Sequence, residues 1–358
     1  MCAAGWNFVV VFTSKPTTDM ERRHFLQRSS RYLAAGALAL PLTGLVYTRL
    51  ASLGGPSSTT TGRPQQPDFT GPLLQTTTVQ RNGSPVRIHA ISTGTVAVTR
   101  AFRQEKGGNL LRKVNVLLDE QFTELMPIWV WIIEHPEGVI VVDTGENAQV
   151  LEPTYFDRVG VLDRYINHRA IRFEINREQE IDRQLASLGI GAERIRHVVL
   201  THLHLDHTDG LRYFPKVDIV VNRAEFVRPY NNLPELYPAW FKPRLVDYRP
   251  DSVAIFGESS ALTDAGDVRL VATPGHTHHH SSVLFQADDA HYLFAGDASY
   301  TQAQVVAGEM AGVNADRSQT QVTYQKIRAY AAQYPLVYLP SHDAAAADRL
   351  RQGLTFPT

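Results

Sequence analysis

Apolar residues fall along this chain in short runs bounded by turn residues, with few long helical stripes. Val86-Arg87-Ile88-His89-Ala90-Ile91-Ser92-Thr93-Gly94 alternates and then turns, the pattern of a strand ending in a glycine loop. Residues 128–134 and 139–142 are apolar runs split by His135-Pro136-Glu137-Gly138. They predict a hairpin whose second strand ends at Asp143-Thr144-Gly145. Further short strands are expected at 197–200, 217–221, 268–272, 282–286, 292–295 and 336–339. Helical spacing appears at 177–188, where Ile181, Leu185 and Leu188 share a face and Gly189 caps the end, and at 319–333. Ala224-Glu225-Phe226 opens a short helix, and residues 229–250, dense in proline and aromatics, read as a long loop. Strands and helices alternate without a clean βαβ rhythm and without a short-period repeat. The pattern implies a layered α/β domain with much antiparallel pairing.

The chain does not begin with that domain. Met20-Glu21-Arg22-Arg23-His24-Phe25-Leu26 precedes a mildly apolar segment at 32–42, the layout of a twin-arginine export signal. The apolar segment is too short, and too interrupted by Gly36 and Pro41, for a membrane span of roughly 20 residues. Residues 1–50 are therefore assigned to the signal region, which places the mature protein in the periplasm or outside the cell, with no stable membrane insertion after processing. Residues 51–85, rich in Ser, Thr, Pro, Gly and Gln, are expected to form a linker or irregular lead-in, and residues 86–358 the folded domain.

Charge and cysteine content narrow the chemistry. The net charge of −1 offers no whole-chain field for nucleic acid. The single cysteine, Cys2, excludes an internal disulfide and any thiolate metal site in the body of the chain. Metal ligands would have to be nitrogen and oxygen, and the chain has 14 histidines to supply them.

The run Thr201-His202-Leu203-His204-Leu205-Asp206-His207 carries the argument. It places three imidazoles and a carboxylate directly after an apolar strand. Strand alternation puts His202 and His204 on one side while Leu203 and Leu205 pack away, and a following turn swings Asp206 and His207 to a second position. One segment can thus serve two neighbouring cations. Three more ligand-type residues stand at the carboxyl ends of apolar strands: His276, Asp297 and His342.

With this run the chain resembles the metallo-β-lactamase superfamily, from about Val86 to the C-terminus. The resemblance implies an αββα sandwich of two packed mixed sheets with the metals at one edge. It implies that His202, His204 and His276 hold one divalent cation, that Asp206, His207 and His342 hold a second, and that Asp297 bridges them. Zinc suits such ligands, and iron, manganese or cobalt fit the same chemistry. Asp143 matches an early Asp-Thr-Gly that steadies the ligand loop without binding metal. Among the histidines after His276, His280 is assigned to support, and His278 and His279 to the solvent-facing loop. His279 is a departure, since many members carry Gly there.

Asp297 separates this chain from true β-lactamases, which use Cys in that region. Tyr300, three residues after it, resembles the quorum-quenching N-acyl-homoserine lactonases, in which that phenol points into the site. The expected activity is lactone opening by a metal-bridging hydroxide, with Tyr300 stabilising the oxyanion and Asp206 shuttling a proton to the leaving oxygen. An exported organophosphate hydrolase or another esterase of the same fold is the alternative. The partner is then a small lactone or ester. The oligomeric state stays open, a homodimer being compatible. The stretch 226–240 is a candidate wall for an acyl chain.

Overall fold

The computed structural model describes residues 73–107, 109–250 and 255–357, and the expected export signal lies outside them. Among the described residues no helix is long and apolar enough to cross a membrane. Strand structure is already present before residue 86. Leu74–Arg81 (β1) is a strand, not irregular lead-in, and pairs antiparallel with Ser84–Val98 (β2), from Leu74 against Ile91 to Arg81 against Ser84. The two are joined at Asn82-Gly83, both with positive φ (50° and 72°), the primed turn that favours this dipeptide. Thr76, Thr77, Thr78 and Val79 are β-branched and fit the pleated surface, although composition alone reads as linker.

β2 continues into a sheet with Met126–His135 (β3), Gly138–Val142 (β4), Ile195–Val199 (β6), Ile219–Asn222 (β7) and Arg244–Val246 (β8), while Ile171–Glu174 (β5) pairs with β2. β4, β6, β7 and β8 run parallel to one another. The second sheet holds Arg249–Pro250 (β9), Glu258–Ala261 (β10), Val268–Ala272 (β11), Ser281–Gln286 (β12), His291–Gly296 (β13) and Leu336–Pro340 (β14), in the order β14-β13-β12-β11-β10-β9. The loop expected at 229–250 is thus interrupted by two short strands, because Leu245 and Val246 extend the first sheet's apolar face.

Strand alternation builds the layers. On β3, Trp129, Trp131 and Ile133 face the second sheet, against Val283, Phe285, Phe294 and Leu339. Val130 and Ile132 face outward, where Ile181 and Leu185 of a short helix cover them. The outer face of the second sheet is covered by Tyr324, Ile327 and Tyr330 of the helix Arg317–Ala331. Both sheets are therefore buried on two faces, which is the expected αββα sandwich and explains why β3 is apolar almost throughout. Among the described residues five helices were not read from the sequence: Arg100–Arg103 (α1), Asn109–Leu118 (α2), Val161–Ala170 (α3), Gln302–Ala307 (α4) and Ala346–Gln352 (α5). α3 exposes Val161 and Leu162, so its apolar positions form no stripe.

Glu134 on β3 knits the first three strands. It accepts from Arg87 (3.0 Å) and Arg194 and pairs with the buried His89 (2.9 Å), which also contacts Thr76 on β1. Burial pushes its carboxyl pKa up, but these three neighbours outweigh burial and hold it below the usual value of 4.5. A folded-state pKa below the unfolded one stabilises above pH 4.5 and is lost as pH falls through the folded value. Glu134→Gln should therefore lower the melting temperature at pH 7 and cost progressively less toward pH 3. Thermal melts across that range check it.

A candidate metal centre at the sheet edge

The seven ligand-type residues leave strands that end at one edge of the sandwich. After β6 the chain stays extended through His204, then makes one helical turn, Leu205–Thr208. Leu203 packs away from the site as alternation leads one to expect, but Leu205 opens the helical turn, where alternation ends, and lines the cavity beside His204 and Asp206. His276 follows β11, Asp297 follows β13 and His342 ends the segment after β14. Gly296, with φ of 54°, admits the tight turn before Asp297. A Cβ there would stand 2.7 Å from the Thr201 hydroxyl and 2.8 Å from His280 Nε2.

The donors assemble into three overlapping groups: His202, His204 and His276; His202, His207 and Asp297; and Asp206, His207 and His342. Asp297 reaches both ends. Its Oδ2 is 3.4 Å from His276 Nε2, and its Oδ1 is 3.3 Å from both His207 Nε2 and His342 Nε2. His342 Nε2 lies 3.2 Å from Asp206 Oδ2.

Each imidazole is tethered by its other nitrogen, and the tethers assign the tautomers. His204 Nε2 donates to the Tyr230 carbonyl (3.0 Å), His207 Nδ1 to Asp143 Oδ2 (2.8 Å) and His342 Nδ1 to the Pro127 carbonyl (2.9 Å). His276 Nδ1 donates to Asn314 Oδ1 (3.3 Å). The Thr201 hydroxyl donates to Asp143 Oδ2 (2.9 Å) and so accepts from His202 Nδ1 (3.0 Å). Consequently His202 Nε2, His204 Nδ1 and His276 Nε2 turn lone pairs toward one another at 2.9–3.0 Å. Lone pairs converging at that distance in a buried site repel unless a cation lies among them. His207 Nε2 and Asp297 Oδ1 are likewise buried without a hydrogen-bond partner. The residues fit divalent metal.

Electrostatics divide the site. Burial, then neighbouring imidazoles, drives the His202 and His276 pKa values down and that of His204 to about 3, so this half is neutral. In the other half burial acts the same way, but carboxylates outweigh it. Asp143, Asp297 and Asp206 hold His207 well above its ordinary value, and Asp297 and Asp206 hold His342 at about 10. Burial would raise Asp297, yet His342, His207 and His276 keep it well below the carboxylate range. The carboxylate half thus calls for positive charge.

Asp143 takes the supporting role expected of it. It accepts from Thr201 N (2.8 Å) as well as from the Thr201 hydroxyl and His207. His280 is also a support: its Nε2 accepts from Asp297 N (3.1 Å) and its Nδ1 contacts the Thr273 hydroxyl (2.9 Å). His278 and His279 are partly exposed, and His278 lies edge-on to Tyr230. Tyr300 stacks on His342, with centroids 5.3 Å apart, and burial with the Asp297 and Asp206 charges keeps its phenol protonated well above the ordinary range.

A cavity of about 110 Å³ opens beside the cluster. Its polar end carries His204, Asp206, Asp297, Tyr300 and His342, and its walls are mostly apolar, with Val98, Phe102, Ile166, Phe173 and Leu233, broken by Asp163 and Asn167. The wall expected from residues 226–240 contributes only Asn231 and Leu233. Phe226 and Tyr237 each meet Phe241 edge-on instead, and Phe226 and Phe241 pack against the outer face of the first sheet. Most of the wall comes from β2, α1 and the α3–β5 region. Sequence reasoning also missed Asn314, whose loop carries no periodic signal, and Glu225. Glu225 is wholly buried, and burial pushes its pKa up to about 7. In the sequence it is indistinguishable from an ordinary first-turn carboxylate of a helix.

Comparison with known proteins agrees with this geometry. Residues 123–342 match the metallo-beta-lactamase superfamily. A probable metallo-hydrolase of Mycobacterium tuberculosis is 29% identical over 276 residues, covering 70% of this chain and 79% of that protein. The N-acyl homoserine lactonase AttM of Agrobacterium fabrum is 26% identical over 238 residues, covering 62% and 83%. Among solved structures, an N-acyl homoserine lactone hydrolase with N-hexanoyl-L-homoserine at its catalytic metal centre aligns with a TM-score of 0.57 at 18% identity, over 75% of this chain and 94% of that one. The dizinc quorum-quenching lactonase AidC aligns with a TM-score of 0.51 at 15% identity, over 76% and 91%. Matched family, sandwich and donor cluster together make this chain a metal-dependent hydrolase of the metallo-beta-lactamase superfamily.

Proposed function

We propose that this hydrolase opens lactone rings, N-acyl-homoserine lactones being the class that suits it best, with two divalent cations, zinc first among them. The observation that carries the reading is the cavity: one end joins the donor cluster to a protonated phenol, and the walls are mostly apolar. A lactone ring fits the polar end and an acyl chain the walls, where burial contributes roughly 25 cal/mol per Å² of apolar surface. The names of the lactonase relatives point the same way.

Cations held by the donors supply Lewis acidity and lower the pKa of water in the site toward 7. The chain's residues do the rest. Tyr300 O–H donates to the carbonyl oxygen as negative charge develops there. Asp206, which lines the cavity beside His342, takes the proton of the water oxygen that has added to the carbonyl carbon and delivers it to the ring oxygen as the C–O bond breaks. The apolar wall orients the acyl group and excludes bulk water.

Hydrolysis of an N-acyl-homoserine lactone, followed by titration of the acid released and compared with paraoxon, tests the substrate class. Faster turnover of paraoxon would replace the lactone by a phosphotriester. Tyr300→Phe is expected to lower kcat on the lactone by about 10²-fold with little change in KM, as for loss of one oxyanion donor. An unchanged kcat would remove the phenol from the reaction.

A further inference from the structure

α3 turns polar side chains to the cavity and apolar ones to solvent. Asp163, Ile166 and Asn167, at helical spacing, line the cavity, while Val161 is 83% exposed and Leu162 47%. A helix laid against an ordinary core shows the reverse. Asp163 has a structural reason to stand there, as the carboxylate in the first turn of its helix. Asn167 has none of that kind, since it lies in the helix interior, where asparagine is among the weaker formers.

Asn167 is half-buried, and its Nδ2 donates to the Asp163 carbonyl one turn earlier at 2.8 Å. That bond uses one N–H and restrains the carboxamide. Among the described residues its Oδ1 and its second N–H meet no partner. One acceptor and one donor are therefore available to a ligand in the cavity. The Asn167 carbonyl accepts from Ile171 N, and Ile171 packs against the apolar cluster that contains Tyr300. Asn167 thus lies about one helical turn, roughly 5.4 Å along the axis, from a residue of that cluster's rim. In a lactone acylated on the carbon next to its carbonyl, the amide starts one bond beyond the ring. With the ring carbonyl at Tyr300, the amide falls where the polar end gives way to the walls.

We propose that Asn167 is a specificity-determining residue: its carboxamide hydrogen-bonds the acylamide of the substrate and so selects N-acylated lactones over lactones that carry a plain alkyl chain. The inference rests on the lactone reading above and names the substrate class within it. An acylamide drawn between apolar walls loses its hydrogen bonds to water, and Asn167 offsets that loss. A plain alkyl chain makes no use of the carboxamide.

The test compares N-hexanoyl-homoserine lactone with α-heptyl-γ-butyrolactone, in which methylenes replace the amide, on zinc-loaded full chain of wild type and Asn167→Leu. Asn167→Leu is expected to raise KM for the N-acyl lactone about 10-fold with little change in kcat, and to leave the alkyl lactone within about twofold or improve it. The same weakening should appear by calorimetry when the N-acyl lactone binds chelator-stripped protein. The melting temperature should hold, because leucine is the better helix former. A wild type that opens only the alkyl lactone, an equal loss on both, or no loss on the N-acyl lactone would overturn this inference alone. If wild type opens neither, the lactone reading fails and this inference falls with it.

Discussion

On the two-cation lactonase reading proposed above, Asp297→Asn is expected to lower kcat/KM on a lactone by on the order of 10³-fold, about 4 kcal/mol of transition-state stabilisation, and to leave one cation equivalent bound in place of two. The reason lies in how the two carboxylate oxygens are shared. Oδ1 stands 3.3 Å from His207 Nε2 and His342 Nε2, and Oδ2 stands 3.4 Å from His276 Nε2, so each oxygen addresses a different half. Asparagine keeps the shape but turns one oxygen into a donor and removes the negative charge. The altered end then faces imidazole nitrogens at 4% side-chain exposure, where water cannot compensate. Elemental analysis with steady-state kinetics checks the result. Two equivalents with near-normal turnover would show that Asp297 does not bridge.

Asp143→Asn should weaken cation binding by about 10- to 100-fold and destabilise the protein by about 3 kcal/mol, although Asp143 lies outside the donor set: it steadies His207 directly and His202 through the Thr201 hydroxyl. Backbone strain is not the cause, since asparagine tolerates the left-handed φ of 63° found here. The fault is in the hydrogen bonds. Oδ1 accepts from Thr201 N, and Oδ2 accepts from the Thr201 hydroxyl and His207 Nδ1. An amide NH₂ placed on the Thr201 N side meets a donor. Placed on the other side it forces His207 Nδ1 to accept, which moves the ring proton to Nε2, the nitrogen that faces Asp297 and His342. Either arrangement spoils the carboxylate half. Chelator competition and denaturant melts of the stripped protein measure the two effects. Full loading at wild-type stability would make Asp143 a bystander.

These two positions differ in how far they could be read beforehand. Asp297, His276 and His342 were legible as ligand-type residues in loops that follow apolar strands, and His202, His204, Asp206 and His207 as one dense run after such a strand. The supports were legible only where a motif marked them, as Asp-Thr-Gly marks Asp143. Glu225, Asn314 and the carbonyls of Tyr230 and Pro127 act through single contacts made across the fold. A backbone carbonyl has no side-chain identity to read, and a buried glutamate looks like a solvated one until its neighbours are known.

The central strands followed from local apolar runs and alternation, which a chain expresses over five or six residues, whereas β1, β5, β8, β9 and β10 did not. The export signal expected at residues 1–50 was also a local motif, though it lies outside the described structure. Where the cavity wall would come from was not local. The aromatic stretch at 226–240 had the composition of a wall but packs on the sheet, while α3, with no apolar stripe of its own, supplies Ile166. Short-range periodicity thus pointed to a layered α/β domain and side-chain chemistry to the candidate donors, while the family and the sandwich followed from the resemblance that the histidine run carries. Which loops clamp together, which nitrogen of each histidine carries its proton, and what lines the pocket were decided by contacts between segments distant in sequence, whose free energy exists only once the sheets have packed.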